Sequence, residues 1–336
     1  MTLQTIWFVL IFVLLAGYAI LDGFDLGVGV LHLVFTRDER ERRAALQAIG
    51  PVWDGNEVWL LTAGGALFAA FPAVYATVFS GFYLALVLLL VALMGRAVAI
   101  EFRSKVESPA WRRAWDAVFG LGSAATALLL GVAIGNVLRG VPISAAGDYT
   151  GTFAGLLNPF ALLVGVLTLA AFAWHGAIYL AGKTDGPMHQ RLARLALPIG
   201  GATGTLYATV VAASLKASPL LWQNGVLVWA LFPLVLAGVG AAMELARRGR
   251  FGLALAASSA TIGAMVAQAG AALFPRLAPS STDPAYSLTI ANASSTPGTL
   301  RVMLIIALVG MPLVLAYTIW AHRVFKGKVT VTDEGY

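Results

Sequence analysis

Long apolar runs recur along the whole chain and restrict the folds that it can adopt. Runs such as 6–21, 84–93 and 161–173 lie within segments that are long enough to cross a hydrocarbon core of about 30 Å. Apolar residues make up 59% of the sequence and charged residues only 11%, whereas soluble domains carry about 25% charged residues. The sequence therefore predicts an all-α polytopic membrane protein without a soluble domain.

Nine segments are long and apolar enough to span the bilayer, and we expect them to form one membrane domain over 1–336. Helices 1–4 fall at about 3–138, helices 5–8 at about 159–274, and helix 9 at about 300–322. This order predicts two four-helix bundles and one peripheral helix. The predicted spans are 3–35, 52–71, 78–101, 115–138, 159–181, 192–215, 221–245, 252–274 and 300–322.

Basic residues alternate between the segments and set the predicted topology. Seventeen of the 22 Lys and Arg residues fall on one side of the predicted spans and four on the other, which leaves Arg96 inside a span. Because cytoplasmic loops carry the excess of Lys and Arg, we predict the N-terminus outside and the C-terminus in the cytoplasm. The net charge of +6 is then a topology signal, and we expect no nucleic-acid partner.

The first segment lacks the basic residues and the small-residue cleavage site of a signal peptide, so we predict that it is retained as a helix. The sequence contains no Cys, which excludes disulfides, iron–sulfur clusters and thiolate metal sites. No metal site is predicted in this chain.

Ionisable residues inside the predicted spans are few, and each costs roughly 2.5–3.5 kcal/mol at a helix centre. Asp22 and Asp25 lie three residues apart on helix 1 and therefore on one face, which Gly29 and His32 extend. Arg96 is the predicted countercharge, and a purely structural Arg–Asp pair remains open. The direction of the chain predicts that these groups share the cytoplasmic leaflet with Asp54, Glu57, Glu101, His175 and Glu244.

Several of these residues have a simpler explanation. Asp54 and Glu57 follow Pro51 in the first turns of helix 2, where the helix dipole alone favours carboxylates. His32 and His175 could ligate a metal or haem, but interior His side chains are usually hydrogen-bonded. Trp53 is typical of the aromatic belt at a membrane boundary, although its position beside Asp54 also suits a ligand.

The outer segment 287–300 is polar and rich in turn-forming residues. Ser295 or Thr296, which precede Pro297, is the predicted N-cap of helix 9. Capping accounts for two or three residues of this segment and not for the whole string.

Four motifs with a fixed order and spacing resemble subunit II of the cytochrome bd-type quinol oxidases. The outer string Ser-Leu-Thr-Ile-Ala-Asn-Ala-Ser-Ser-Thr-Pro, from Ser287 to Pro297, adds to the likeness, which covers essentially the whole chain. The motifs are Leu21-Asp-Gly-Phe-Asp-Leu-Gly-Val-Gly29, Trp53-Asp-Gly-Asn-Glu-Val-Trp59, Thr62-Ala-Gly-Gly-Ala-Leu-Phe-Ala-Ala70 and Arg96-Ala-Val-Ala-Ile-Glu-Phe-Arg103.

The resemblance implies a bacterial respiratory complex in the cytoplasmic membrane that oxidises quinol and reduces dioxygen to water. Haems b and d would be ligated in subunit I, with none ligated by this chain. Further expected partners are a small accessory subunit, membrane quinol and membrane lipid.

The resemblance also implies roles for individual residues. Positions that match Asp25 and Asp54 take up protons from the cytoplasm, with Asp22 and Glu57 as secondary candidates. Positions that match Trp53 and Arg96 lie near a structural quinone in some members of the family.

Two other functions remain open for the sequence. A stand-alone proton-coupled transporter would also place acids in inner-leaflet helices, usually with interrupted helices near the midplane. A purely structural partner of subunit I would differ from a proton-conducting one only in its response to neutralising Asp25 or Asp54.

Overall fold

The computed structural model describes residues 2–223 and 225–330, and most of both ranges is α-helix. Two short strands, β1 (Arg276–Ala278) and β2 (Leu288–Thr289), lie in the loop that follows the eleventh helix. The helices are α1 (Leu3–Val34), α2 (Glu39–Ile49), α3 (Trp53–Ala70), α4 (Pro72–Gly81), α5 (Tyr83–Phe102), α6 (Pro109–Arg139), α7 (Phe153–Leu156), α8 (Pro159–Lys183), α9 (Gly186–Ala217), α10 (Val226–Arg247), α11 (Phe251–Leu273) and α12 (Pro297–Val324).

Every predicted span overlaps a helix, and within the described ranges eight helices are long and apolar enough to cross a membrane. The remaining predicted span corresponds to α3, which has 18 residues and begins with the polar residues Asp54, Asn56 and Glu57. The prediction of an all-α membrane protein is therefore confirmed. The count of nine spans stays a prediction that depends on α3.

Four predicted starts differ from the helix starts by five or six residues: 78 against Tyr83, 115 against Pro109, 192 against Gly186 and 221 against Val226. The predicted span 78–101 crosses a break in the structure, because α4 ends at Gly81 and α5 begins at Tyr83. A side chain at Gly81 would collide with the ring of Tyr149, so this glycine lets an outer loop pack against the break. The predicted span 115–138 begins too late, because α6 starts at Pro109 and extends beyond the apolar run.

The amphipathic helix α2 was not predicted, because its sequence reads as a basic loop. Its N-cap is Asp38, whose side chain accepts a hydrogen bond from the backbone N–H of Glu41 at 2.9 Å. One face of α2 is buried, and that face consists of Ala44, Ala45, Leu46, Ala48 and Ile49. A search for apolar runs cannot find such a helix, because only one of its faces is apolar.

Helices α1 and α8 lie at the centre of the molecule. Each contacts α6 and α11 as well as the other, and α1 also contacts α3 and α12. They cross at Gly27 and Gly176, where a Cβ on either glycine would collide with the backbone of the opposite helix. Small residues at a crossing let two membrane helices approach closely. Helix α12 buries only Leu300 and Ala321 within the described residues. The arrangement of two bundles and one peripheral helix stays a prediction.

The loops on the predicted outer side pack together over the helix ends. Val141 forms a bridge with Ser280, which joins the loop after α6 to the loop after α11. Ser295 donates its backbone N–H to the Ala70 carbonyl at 2.8 Å, which covers the end of α3. Thr296 accepts a hydrogen bond from the Thr299 N–H, so the predicted N-cap of the last helix is confirmed as Thr296.

Candidate functional site

The two acidic residues of α1 are completely buried and point towards different partners. Asp22 Oδ1 accepts a hydrogen bond from Arg96 Nη2 of α5 at 2.7 Å, and both side chains have no exposed surface. The structure thus joins the predicted acid and its predicted countercharge. A charge-assisted pair of this kind compensates two charges that would each be costly alone.

Asp25 has a neutral partner. Asn56 of α3 donates Nδ2–H to Asp25 Oδ2 at 2.8 Å, and both residues are buried. The other carboxyl oxygen, Oδ1, has no hydrogen-bond partner among the described residues. Because Asp25 is not hydrogen-bonded to a cation, its carboxyl group can exchange a proton without breaking an ion pair.

The acids at the start of α3, Asp54 and Glu57, are three residues apart and therefore share a helix face, but their surroundings differ. Glu57 Oε2 is 3.6 Å from Arg96 Nη1, so Glu57 belongs to the same cluster as Asp22. Asp54 is exposed, and in the described part of the chain it forms no hydrogen bond with Asp25. A helix has 3.6 residues per turn, so residues 54 and 56 point in nearly opposite directions. The residue of α3 that reaches Asp25 is therefore Asn56, which the sequence analysis did not single out.

The two residues predicted near a quinone, Trp53 and Arg96, have different surroundings. Trp53 is half-buried and packs against the apolar core that α1, α2 and α8 share. Arg96 has no exposed surface, and its guanidinium faces Asp22 and Glu57. Arg96 Nε and Nη1 have no hydrogen-bond partner among the described residues, and the quinone contact that the resemblance implied stays a prediction.

A second buried ionic cluster was not predicted. Asp116 of α6 accepts hydrogen bonds from Arg103 Nε at 2.5 Å and from Arg42 Nη1 of α2 at 3.1 Å, and its Oδ1 lies 2.5 Å from His32 Nε2. Arg103 also donates Nη2–H to Glu39 Oε2 at 2.8 Å, and this pairing holds the pKa of the Glu39 carboxyl below its ordinary value. The residue that could have indicated this cluster in the sequence is Asp116, an acid just inside the predicted span 115–138.

The His residues are hydrogen-bonded, which confirms the simpler interpretation of His32 and His175. The ring partners are Asp116 for His32, Ser258 and the Ile20 carbonyl for His175, the Ala181 carbonyl for His189, and the Thr318 carbonyl for His322. Within residues 2–223 and 225–330, no group of three His, Asp or Glu side chains could hold a metal ion.

Comparisons with known proteins agree with the resemblance in the sequence. The family model for cytochrome bd terminal oxidase subunit II matches residues 3–325. Cytochrome bd-I ubiquinol oxidase subunit 2 of Escherichia coli K12 is 39% identical, with 98% of this chain and 96% of that protein covered. Cytochrome bd ubiquinol oxidase subunit 2 of Bacillus subtilis is 38% identical, with 98% and 97% covered.

A solved structure shares the fold. The bd oxidase from Geobacillus thermodenitrificans contains a chain that superimposes with a TM-score of 0.76 at 19% identity, covering 97% of this chain and 99% of that one. With a family model that spans nearly all residues and two relatives that match end to end, the chain belongs to the cytochrome bd terminal oxidase subunit II family.

Proposed function

We propose that this chain is the non-haem subunit II of a membrane quinol oxidase that reduces dioxygen to water. It would pair with a subunit I that ligates haems b and d, in the bacterial cytoplasmic membrane, with its N-terminus outside and its C-terminus in the cytoplasm. Its relatives are named as subunits of ubiquinol oxidases, which supports this assignment. A small accessory subunit and bound lipid are further proposed partners.

Within that complex, we assign this chain the supply of cytoplasmic protons. Reduction of dioxygen consumes protons, and a site inside hydrocarbon needs titratable side chains to receive them. The observation that carries the proposal is the pair of buried acids on one face of α1, of which only Asp22 is hydrogen-bonded to a cation. Asp25 would carry the proton, and the exposed Asp54 would collect protons at the cytoplasmic mouth. Asp22 and Glu57 would hold Arg96 in place.

A proton-coupled transporter has less support. Such transporters usually bind their substrate between discontinuous helices near the bilayer midplane. Helices α9, α10 and α12 contain Pro198, Pro233 and Pro312, yet each continues through its proline. A bound quinone near Trp53 and Arg96 is a separate proposal, and the proton supply does not depend on it.

The test is Asp25→Asn in the oxidase purified through a tag on this chain. Asparagine has nearly the same shape as aspartate but cannot carry a proton. We expect normal assembly and haem content, while quinol-driven oxygen consumption per haem falls at least about tenfold, since a positioned proton-transfer group contributes roughly 10²–10⁴-fold. Asp54→Asn should have a milder effect, because an exposed entrance can be bypassed.

Glu101→Gln is the matched control, because Glu101 is an exposed acid near the end of α5 and should leave turnover unchanged. Unchanged turnover in an assembled, haem-replete Asp25→Asn oxidase would reject proton supply. Loss of assembly and haem together with activity would instead identify the chain as a purely structural partner.

A further inference from the structure

A small pocket lies between the start of α3 and the end of α12. Its volume is about 20 Å³, which is enough for one water molecule. Asn56 lines it from α3, and Thr318 and His322 line it from α12. The pocket thus combines two side chains that can hydrogen-bond to water with an imidazole that can carry a proton.

The hydrogen bonds of His322 define which of its ring nitrogens is free. Nδ1 lies 2.9 Å from the Thr318 carbonyl oxygen. A carbonyl oxygen only accepts hydrogen bonds, so Nδ1 must carry the hydrogen and Nε2 is the basic nitrogen of the neutral ring. Nε2 is buried and has no hydrogen-bond partner among the described residues. Imidazole is the side chain that most readily gains and loses a proton between pH 5 and 8.

The same pocket is connected through Asn56 to Asp25, the buried acid of α1. Asn56, which lines the pocket, donates its Nδ2–H to Asp25 Oδ2 at 2.8 Å. On the other side, the ring of His322 lies edge-on to the ring of Phe24, with centroids 6.3 Å apart. Phe24 is the residue before Asp25, so α12 contacts α1 at the level of the acid. One amide side chain, that of Asn56, therefore separates the pocket from the carboxyl group.

We propose that His322 is a proton-relay residue that supplies Asp25 through this pocket, with Asn56 as the positioning residue. A proton that enters the pocket from the cytoplasm on water is held on the buried Nε2, which returns it to the pocket water, and that water protonates the Asp25 carboxylate when the Asn56 amide swings aside. The ring returns to its neutral form and no electrons move. This route is separate from Asp54, which lies on the opposite side of α3. The inference rests on the proposed function, in which Asp25 receives cytoplasmic protons.

The experiment uses the assembled oxidase carrying His322→Ala, with oxygen consumption measured per haem at saturating quinol. We expect turnover to fall at least about fivefold, with residual flux through Asp54, and we expect millimolar imidazole to restore most of it. Free imidazole can fill the space left by the ring and carry the proton, which a structural defect would not allow.

His189→Ala is the matched control, because its Nδ1 is also hydrogen-bonded to a backbone carbonyl, at 2.8 Å, on the cytoplasmic side of the molecule. Its turnover should match that of the wild type, with or without imidazole. Asn56→Leu, which blocks the pocket, should lower turnover in a way that imidazole does not restore.

Two outcomes would overturn the relay. Wild-type turnover in His322→Ala would show that Asp25 is supplied elsewhere, and a loss that imidazole does not restore would assign His322 a structural role. Asp25→Asn distinguishes the two levels of the proposal. If Asp25→Asn lowers turnover and His322→Ala does not, only the relay fails, whereas full turnover in Asp25→Asn removes the proposed function itself.

Discussion

Asp22 and Asp25 show how two identical side chains on one helix face acquire different roles from their neighbours. Asp22 forms a fully buried ion pair with Arg96, whereas Asp25 is hydrogen-bonded to the neutral amide of Asn56. A buried ion pair resists a change of protonation, because losing either charge leaves the other uncompensated. Asp22 is therefore suited to fixing α1 against α5, and Asp25 to carrying a proton.

We predict that Asp22→Leu destabilises the protein by about 3–5 kcal/mol, because it removes the carboxylate that is hydrogen-bonded to the buried Arg96 and leaves Glu57, at 3.6 Å, as the remaining ion-pair contact among the described residues. The double variant Asp22→Leu/Arg96→Met should recover much of that loss, since it removes both charges and keeps apolar volume. The measurement is the thermal unfolding midpoint of the purified complex. If the double variant is no more stable than Asp22→Leu, and the two substitutions show no coupling energy, the ion pair does not stabilise this contact.

The sequence predicts the charged members of the site but not the neutral ones. Asp22, Asp25 and Arg96 are conspicuous because an ionisable residue in a span requires a reason. Asn56 carries no charge, and it lies in first turns whose polarity the helix dipole already explains. His322 lies near the end of α12, so its contact with Phe24 depends on how α12 packs against α1, which the spacing of residues does not determine.

At the scale of the element, α2 is the helix that a search for apolar runs does not find. Its Glu39 and Arg42 reach Arg103 and Asp116, which ties the helix to the end of α5 and the start of α6, on the predicted cytoplasmic side. Its eleven residues begin with five consecutive charged side chains and end with a short, mostly apolar stretch, so the average is that of a polar loop. Only the pattern of one buried face distinguishes such a helix, and the cluster of basic residues obscured that pattern.

We predict that Glu39→Gln lowers the unfolding midpoint at neutral pH and that the difference from the wild type disappears in acid. Hydrogen bonds from Arg103 lower the pKa of Glu39 in the folded protein. A carboxyl group whose pKa is lowered by folding stabilises the protein above its unfolded pKa of about 4.3, and this contribution is lost as the pH falls through the folded pKa. Unfolding midpoints measured from pH 7 down to about pH 2, which lies below the ordinary range of a carboxyl pKa, test the trend.

Glu107→Gln provides the control, because Glu107 is exposed in the loop before α6 and should show no difference at any pH. A Glu39→Gln difference that stays constant down to the lowest pH would mean that the carboxylate charge is not what anchors α2.

At the scale of the whole molecule, the hydrophobic pattern locates the long membrane helices, and the loops cover their ends. The apolar runs located the membrane helices because burial in lipid demands continuous apolar length. The bridge between Val141 and Ser280 could not be predicted, since it joins two loops that are distant in sequence. Short strands held by so few contacts leave no alternating pattern to detect.

The orientation of the whole molecule depends on whether α3 crosses the bilayer, because its start is polar and every later helix follows from it. If α3 spans, the loop at 103–108 is cytoplasmic and its basic residues obey the positive-inside rule. If α3 does not span, every later loop exchanges sides and most of the basic residues face outwards. The chain contains no Cys, so a single introduced Cys can be labelled without background.

We predict that a membrane-impermeant maleimide applied to intact cells labels Ala76→Cys and Ala285→Cys but not Ser108→Cys. All three positions are exposed, so a lack of labelling in intact cells would reflect the side of the membrane and not burial. Permeabilising the cells should then make Ser108→Cys reactive, which controls for expression and accessibility. Labelling of Ser108→Cys in intact cells would place α3 on the membrane surface and reduce the count to eight spans. It would also place His322, at the end of α12, on the outer side and away from cytoplasmic protons, so this measurement joins the topology of the chain to its proposed function.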